Sequence, residues 1–268
     1  LAAVHIVREK ILITSKYLKR EVHMEMYLPK NVAVPSEMNL LLINDGQDMP
    51  VMHFDKILEK LYAKDLIQPI CCAAIACSNE RMMEYGVNGK KDYKGRGAKA
   101  AQYSKFVLKE LIPFIEKKYN VPKFKEISFA GFSLGGLSAF DIVWKHPELF
   151  SKVGVFSGSL WWRSKDQDDP LYDDDKHRIM QQEIREGHYK SGLKFFFQTG
   201  KLDETADRNN NGIIDAIEDT LDHIHELMNK GYTPQDIAYL ELDDGRHDVV
   251  TWGRAMPVFL KWGWGKKI

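Results

Sequence analysis

The segment Gly131-Phe132-Ser133-Leu134-Gly135 constrains the fold of this chain more than any other part of its sequence. An apolar run, residues 127–130, precedes it, and a helical pattern, residues 136–144, follows it. Glycines two residues before and after a serine are typical of a very tight strand-to-helix turn, where larger side chains would clash with the serine and the next strand. The segment therefore predicts a strained turn that exposes the Ser133 hydroxyl at the carboxyl edge of a sheet.

The rest of the chain carries a matching pattern of strands and helices. Residues 21–28 alternate apolar and polar side chains, as a half-buried antiparallel strand does, whereas the later runs are continuously apolar, as central parallel strands are. Helical patterns lie at residues 54–64 and 101–119, and Leu221, Ile224 and Met228 mark a further one. We expect an α/β-hydrolase fold, with a mostly parallel central sheet, antiparallel entry strands and helices on both faces. The strand-like runs are 10–14, 21–28, 40–43, 70–77, 127–130, 153–156, 195–197 and 237–242.

Length and composition fit one domain, which we place at residues 1–268. A chain of 268 residues is long enough to bury a sizeable core, and no internal repeat or linker divides it. Lys and Arg together number 38, as do Asp and Glu, so no net charge favours nucleic acid as a partner. No apolar run approaches the ~20 residues of a membrane span. Residues 161–190 are polar and predict a lid-like insertion over the carboxyl edge.

Cysteine usage leaves the compartment open. Cys71, Cys72 and Cys77 lie in or beside one apolar run, where neighbouring side chains point to opposite faces of a strand, so we expect buried free thiols. A secreted protein need not contain disulfides, and we favour a periplasmic or secreted location over a cytoplasmic one.

A serine nucleophile needs a base and an acid that orients the base. In this fold the order along the chain is Ser, then Asp or Glu, then His. His247 follows the last predicted strand and is the expected base, while Asp203 follows the penultimate strand and is the expected acid, with Glu204 and Asp207 as near rivals. The other histidines after Ser133 lie at a helix end, in the polar insertion or on a helix, at positions 146, 177, 188, 223 and 225.

An oxyanion hole requires two backbone N–H groups. One is expected from Leu134, directly after the nucleophile. The other is expected from the loop after the run 40–43, where either Gly46 or Gln47 is the donor.

Four side chains near the same sheet edge are candidates for substrate binding. Trp161 and Trp162 could form the floor of an acyl or sugar pocket by stacking, or could instead anchor the insertion to the core. Arg81 and Tyr85 could contact a substrate carboxylate or hydroxyl. The alternative is that they have a structural role, in a salt bridge.

A set of segments, in order, resembles the putative-esterase family of α/β-hydrolases, which includes esterase D and the enterochelin-esterase-like proteins. The segments are LLINDGQD at 41–48, RMMEYG at 81–86, GFSLGG at 131–136, HPELF at 146–150, SGS at 157–159 and GRH at 245–247 before Trp252, with 15–29 resembling the family's entry strands. The resemblance implies an esterase that uses Ser133, His247 and an acid near Asp203. Gly-Arg-His stands where many relatives have Gly-Gly-His or Gly-His-His.

The expected function is that of a serine carboxylesterase acting through an acyl-enzyme, with no organic cofactor. The resemblance implies substrates that range over feruloyl and acetyl esters of carbohydrates, siderophore lactones and S-formylglutathione. An acyltransferase is the alternative within the class, and a non-catalytic binding protein on the same fold is the alternative outside it.

A second motif, residues 207–218, matches the template of a calcium-binding loop. A glycine, Gly212, falls at the sharp turn, and an apolar residue, Ile214, falls where the template has one. A helical pattern follows the loop but none precedes it, so a lone structural calcium site is expected, with a helix-capping turn as the alternative. The expected ligands are Asp207, Asn209, Asn211, the backbone carbonyl of Ile213, Asp215 and Glu218.

Overall fold

The computed structural model describes residues 5–30 and 38–267, and its strands form one mixed sheet in the order β1-β2-β4-β3-β5-β6-β7-β8. The outer limits of the predicted domain, residues 1 and 268, lie outside the described residues. The strands are β1 (Ile6–Ser15), β2 (Arg20–Pro29), β3 (Asn39–Asn44), β4 (Ile70–Ile75), β5 (Ile127–Phe132), β6 (Phe150–Phe156), β7 (Lys194–Leu202) and β8 (Ile237–Arg246).

The direction of the strands confirms the predicted fold class. β1 and β2 form an antiparallel pair from Ile6↔Pro29 to Ser15↔Arg20, and β2 joins β4 antiparallel. Every later pairing, from β4 with β3 to β7 with β8, is parallel. Every residue of β3, β4 and β5 is buried, which explains why these strands are continuously apolar in sequence.

Helices cover both faces of the sheet. α2 and α10 pack on one face of the sheet, and alternate strand residues such as Leu41 and Ile43 point toward them. Leu40 and Leu42 point to the other face, which a larger set of helices covers. A 3₁₀ turn, Gly46–Asp48, precedes α1, and a π-helical segment, Val107–Leu111, joins α4 to α5. The helices are α1 (Met49–Met52), α2 (Phe54–Ala63), α3 (Arg81–Glu84), α4 (Ala100–Phe106), α5 (Ile112–Lys118), α6 (Leu134–Lys145), α7 (Asp174–His177), α8 (Ile179–Glu186), α9 (Asp215–Asn229) and α10 (Val249–Trp264).

The helix α9 is present as predicted, but two of the three residues that mark it do not face the core. Leu221 and Met228 are 39% and 46% exposed, whereas Ile224 packs partly against the core. Between the buried Ile217 and Leu227, the buried face carries the polar residues Asp219, Thr220 and His223. This polar face is buried because Asp219 pairs with two arginines, Arg178 and Arg208, brought from other parts of the chain. A hydrophobic pattern cannot reveal such a face.

The insertion at residues 161–190 holds two short helices, α7 and α8. α8 packs against α9, and the backbone of Ile179 donates a hydrogen bond to the carbonyl of Trp162. These contacts fix the start of the insertion beside the carboxyl ends of β6 and β7. Its role as a lid stays a prediction.

The three cysteines are free thiols. Cys71 and Cys72 are buried in β4 and contribute to opposite faces of the sheet, as their adjacent positions in a strand predict. In the part of the chain that the structure describes, no helix is both long enough and apolar enough to cross a membrane.

His223 is a fully buried histidine whose ring packs edge-on against Phe140, with ring centroids 4.3 Å apart. Within residues 5–30 and 38–267, neither ring nitrogen has a hydrogen-bond partner. Desolvation, with a smaller contribution from the nearby positive charge of Arg178, lowers the pKa of His223 from 6.5 to about 3. The ring is therefore neutral in the folded protein over the physiological range.

We predict that His223 makes the protein less stable as the pH falls below about 6.5. The unfolded state binds a proton on this histidine before the folded state does, so the free energy of unfolding loses about 1.4 kcal/mol per pH unit until the pH nears the folded-state pKa. Urea unfolding of His223→Leu between pH 7 and pH 4 should show a smaller pH slope than the wild type. The exposed His225→Leu should keep the wild-type slope; equal slopes in the wild type and His223→Leu would contradict the prediction.

Candidate active site

Ser133 lies between the end of β5 and the start of α6, in the tight turn that the sequence predicts. Its backbone has φ 56° and ψ −124°, a conformation that costs free energy for any residue with a side chain. A Cβ on Gly131 would lie 2.1 Å from the carbonyl oxygen of Gly135, so only glycine fits at position 131. The backbone N–H of Ser133 donates to the carbonyl of Phe156 in β6, which fixes the turn against the neighbouring strand.

The base and acid candidates meet across two loops at the same edge of the sheet. His247 follows β8 and Asp203 follows β7, and His247 Nδ1 lies 2.7 Å from Asp203 Oδ1. The Asp203 side chain is fully buried while the His247 side chain is 44% exposed. The rival carboxylates have other partners: Glu204 accepts from the backbone of Ala216, and Asp207 from that of Gly212. Of the three candidates, Asp203 is the one that contacts His247.

A cleft of about 270 Å³ brings these residues together. Ser133 Oγ lies 3.3 Å from Ser159 Oγ, and no hydrogen bond joins it to His247 in the described structure. Such contacts are often long before a substrate binds. The cleft is lined by Arg81, Met82, Arg96, Ser133, Leu134, Ser157, Gly158, Ser159, Trp161, Asp203, Glu204, Ala216 and His247.

The loop after β3 packs against the first turn of α6, where the sequence places the two oxyanion donors. The side-chain amide of Asn44 donates to the carbonyl of Gly135 at 2.8 Å, and Asn44 Oδ1 accepts from the hydroxyl of Tyr103. A Cβ on Gly46 would lie 2.4 Å from the backbone of Ala74 in β4, so the turn is close-packed on the sheet. The backbone of Leu134, the first residue of α6, lies at the positive end of that helix. The roles of Leu134 and of the 46–47 backbone stay predictions.

Arg81 forms the structural ion pair that was one of its two expected roles. Its Nε and Nη2 atoms lie 2.9 and 2.8 Å from the two carboxylate oxygens of Asp45, which is buried. The Gln47 side chain also donates to Asp45 and accepts from the backbone of Cys77. Because Arg81 also lines the cleft, it remains able to contact a substrate.

Trp162 and Tyr85 do not line the cleft, so for both residues the structure favours the structural alternative over a substrate contact. Trp162 is fully buried and donates its indole N–H to the carbonyl of Lys90, so it anchors the insertion to the core. Tyr85 is 1% exposed, and its hydroxyl accepts from the backbone of Asp45. The loop at 86–99 packs against the Trp162 ring, where Cβ atoms on Gly86 and Gly97 would fall within 3 Å, and the Tyr85 ring packs edge-on against Tyr103. Trp161 does line the cleft.

Arg96 and Glu204 give the cleft its remaining charged groups. The Arg96 guanidinium lies 4.9 Å from the centre of the Trp161 ring and pairs with the buried carboxylate of Asp92. Desolvation and the nearby carboxylates of Asp215 and Asp219 raise the pKa of Glu204. Glu204 is thus a weaker acid than an ordinary surface glutamate.

The predicted calcium loop, residues 207–218, folds around its own side chains. The two oxygens of Asp207 accept from the backbones of Gly212 and Asn211, and Asn211 Oδ1 accepts from the backbone of Ile213. The carboxylate of Glu218 receives the side-chain amides of Asn209 and Asn211. Gly212 has φ +83°, as the sharp turn of the motif requires.

Asp215, another of the expected ligands, is paired with Arg208 and not with the other expected ligands. Its carboxylate accepts from the backbone of Arg208 at 3.0 Å and pairs with the Arg208 guanidinium at 3.2 Å. In the described residues, no group of three or more His, Cys, Asp or Glu side chains is placed to hold a metal ion. The oxygen atoms that the loop could present to a cation are therefore amide and backbone oxygens and the carboxylates of Asp207 and Glu218.

The sheet order and the turn at Ser133 define an α/β-hydrolase fold. A family model described as Putative esterase matches residues 15–262, and the chain belongs to this family. The Bacillus subtilis (strain 168) protein YbbA, described as uncharacterized, is 25% identical over 145 residues, which are 52% of this chain and 57% of YbbA.

Solved structures share the fold at low sequence identity. The enterobactin esterase Fes from Shigella flexneri, crystallised in the presence of enterobactin, has a TM-score of 0.73 and 20% identity, covering 96% of this chain and 58% of Fes. A ferulic acid esterase has a TM-score of 0.66 and 18% identity, covering 97% of each chain. This chain therefore spans little more than half the length of YbbA and of Fes.

Ser157, Ser159 and Trp252 contact residues of the site but were given no role from the sequence. Ser157 donates to Asp203 Oδ2 at 2.8 Å and accepts from the indole of Trp252 at 3.0 Å, while Ser159 Oγ lies 3.3 Å from Ser133 Oγ. The segment Ser157-Gly158-Ser159 at the end of β6 was the available signal, because parallel strands deliver their following residues to one edge.

Proposed function

We propose that this protein is a serine carboxylesterase that works through an acyl-enzyme. The observation that carries the proposal is the 2.7 Å contact between His247 Nδ1 and Asp203 Oδ1, beside a serine in a strained turn of the same cleft. Membership of the Putative esterase family supports it.

Each group of the site has a role in this mechanism. Ser133 Oγ attacks the ester carbonyl while His247 Nε2 takes its proton, and Asp203 holds the imidazole in the tautomer that carries a proton on Nδ1. The backbone N–H groups of Leu134 and of Gly46 or Gln47 stabilise the oxyanion. His247 then gives the proton to the leaving alcohol, and a water molecule activated by His247 releases the acid.

For the substrate we favour an ester of an aromatic acid, such as a feruloyl ester of a carbohydrate. The support is the apolar and aromatic part of the cleft, formed by Met82 and Trp161, with Arg96 over the indole ring. The fold shared with a ferulic acid esterase is consistent with this choice. Acetyl esters, siderophore lactones and S-formylglutathione are the alternative substrates. Acyl transfer to an added alcohol in preference to water would instead indicate an acyltransferase, and lack of all turnover a binding protein.

We predict that a fluorophosphonate probe labels the protein at one site, Ser133. The Ser133→Ala variant should lose both the label and the hydrolysis of feruloyl, acetyl and butyryl esters, because it removes the hydroxyl that attacks the ester. Intact-mass spectrometry and ester hydrolysis measure the two effects. Hydrolysis or labelling that persists in Ser133→Ala would overturn the assignment.

Asp203→Asn should lower kcat by a factor on the order of 10³ to 10⁴, because an amide cannot hold the required imidazole tautomer. Glu204→Gln, one residue away, should lower kcat by less than tenfold, because Glu204 contacts the backbone of Ala216 and not His247. Steady-state kinetics on one aryl ester compares the two. The reverse order of effects would show that Glu204 is the acid.

We also propose that the loop 207–218 binds a structural calcium ion. The sequence template supports this, as do the convergence of Glu218 on Asn209 and Asn211 and the turn at Gly212. Affinity should be modest, because two ligand positions are neutral asparagines and the Arg208 guanidinium already pairs with Asp215. Within the loop, the backbone N–H of Ala216 donates to Glu204, the residue after Asp203, so an ion would order this side of the cleft.

Calcium should raise Tm, since it binds the folded state, and Kd should lie in the micromolar-to-millimolar range. Chelator-treated protein should melt lower and regain its Tm on addition of calcium, as measured by calorimetry. Glu218→Gln should abolish the response, whereas Glu148→Gln, at an exposed carboxylate outside the loop, should keep it. No heat of binding and an unchanged Tm at millimolar calcium would leave the loop as a helix cap.

A further inference from the structure

Ser157 holds a backbone conformation that a serine adopts only under constraint. Its φ is +46°, in the left-handed region, and the residue is 4% exposed. Its backbone N–H donates to the carbonyl of Gln198 in β7 at 2.8 Å. The next residue has to be glycine, since a Cβ on Gly158 would lie 2.4 Å from Val155 Cγ1. Glycine would adopt this φ without strain, so the presence of a serine calls for a role of its side chain.

The Ser157 hydroxyl is the middle of a chain of three hydrogen bonds. Trp252 Nε1 can only donate, so at 3.0 Å it fixes Ser157 Oγ as the acceptor. The Ser157 O–H therefore points to Asp203 Oδ2, 2.8 Å away. The other oxygen of Asp203, Oδ1, contacts His247 Nδ1 at 2.7 Å.

These three hydrogen bonds fix the plane of the Asp203 carboxylate. Oδ2 also lies 3.3 Å from the backbone N–H of Gly200, so both carboxylate oxygens have defined partners. Without the Ser157 donor, Oδ2 would keep only the longer contact with Gly200, and the weaker hold on the carboxylate would let Oδ1 move out of line with His247. Trp252 supports the other end as well, because its ring packs edge-on against the His247 imidazole with centroids 5.2 Å apart.

We propose that Ser157 is a positioning residue for catalysis, which acts through Asp203 by orienting the carboxylate that holds His247, and that Trp252 orients Ser157 in turn. The proposal rests on the esterase function proposed above. Ser157 does not touch the reacting atoms, so its removal should slow the chemical step while substrate binding is retained.

The informative substitution is Ser157→Gly, because it removes the hydroxyl and leaves a residue suited to φ +46°. We expect kcat to fall about 10- to 100-fold, as for the loss of one hydrogen bond to a charged group, with KM changed by less than about twofold. The acidic limb of the kcat/KM profile against pH should move to lower pH, because a carboxylate out of line with His247 stabilises the imidazolium less. Trp252→Phe removes the N–H donor to Ser157 together with part of the ring that packs on His247, and it should move the limb in the same direction by less.

The matched control is Asn120→Gly, an exposed residue with φ +52° outside the cleft, which should keep wild-type kinetics. The charged groups of the cleft, Arg81, Arg96 and Glu204, are unchanged in all variants, so a movement of the limb reports on Asp203 and His247. Ser157→Gly with wild-type kcat and an unmoved limb would overturn the proposal, as would a loss expressed in KM alone. Failure of the esterase function itself is distinct, because the wild type would then show no turnover that depends on Ser133.

Discussion

The close approach of β5 and α6 at Ser133 is the constraint on which the rest of the site depends. Position 131 has no room for a Cβ, and Ser133 is held in a strained conformation by its hydrogen bond to β6. Such strain persists only where the surrounding structure overdetermines it. Here the buried parallel strands on either side supply that constraint, and their shared direction brings the loops after β3, β6, β7 and β8 to the same edge.

A second level of organisation lies in the buried polar groups behind the cleft. Asn44 joins the loop after β3 to α6, Arg81 forms an ion pair with Asp45, and Ser157 links Asp203 to Trp252. Buried polar groups are costly unless each has a partner, so these bonds favour one arrangement of the loops. The side chains that line the cleft are therefore positioned by hydrogen bonds and ion pairs of buried groups behind it.

Agreement between sequence and structure is best where the signal is local. The turn at Ser133, the continuously apolar strands and the turn at Gly212 all follow from steric or hydrophobic demands within a few residues. The weaker predictions concern faces and contacts. Leu221 and Met228 are exposed while salt bridges lie on the buried face of α9, and Trp162 is buried because a loop about 70 residues earlier in the chain packs against its ring.

The sequence by itself determined the fold class, the family and the three residues whose types and order along the chain fit a serine, acid and base. Tertiary structure decided which carboxylate faces His247, because Asp203, Glu204 and Asp207 differ in their partners and not in their chemistry. It also decided that Ser157 meets Asp203, 46 residues away, and that Trp252 meets Ser157, 95 residues away. Such contacts depend on how three parallel strands align at one edge, and no local pattern of residues records that alignment.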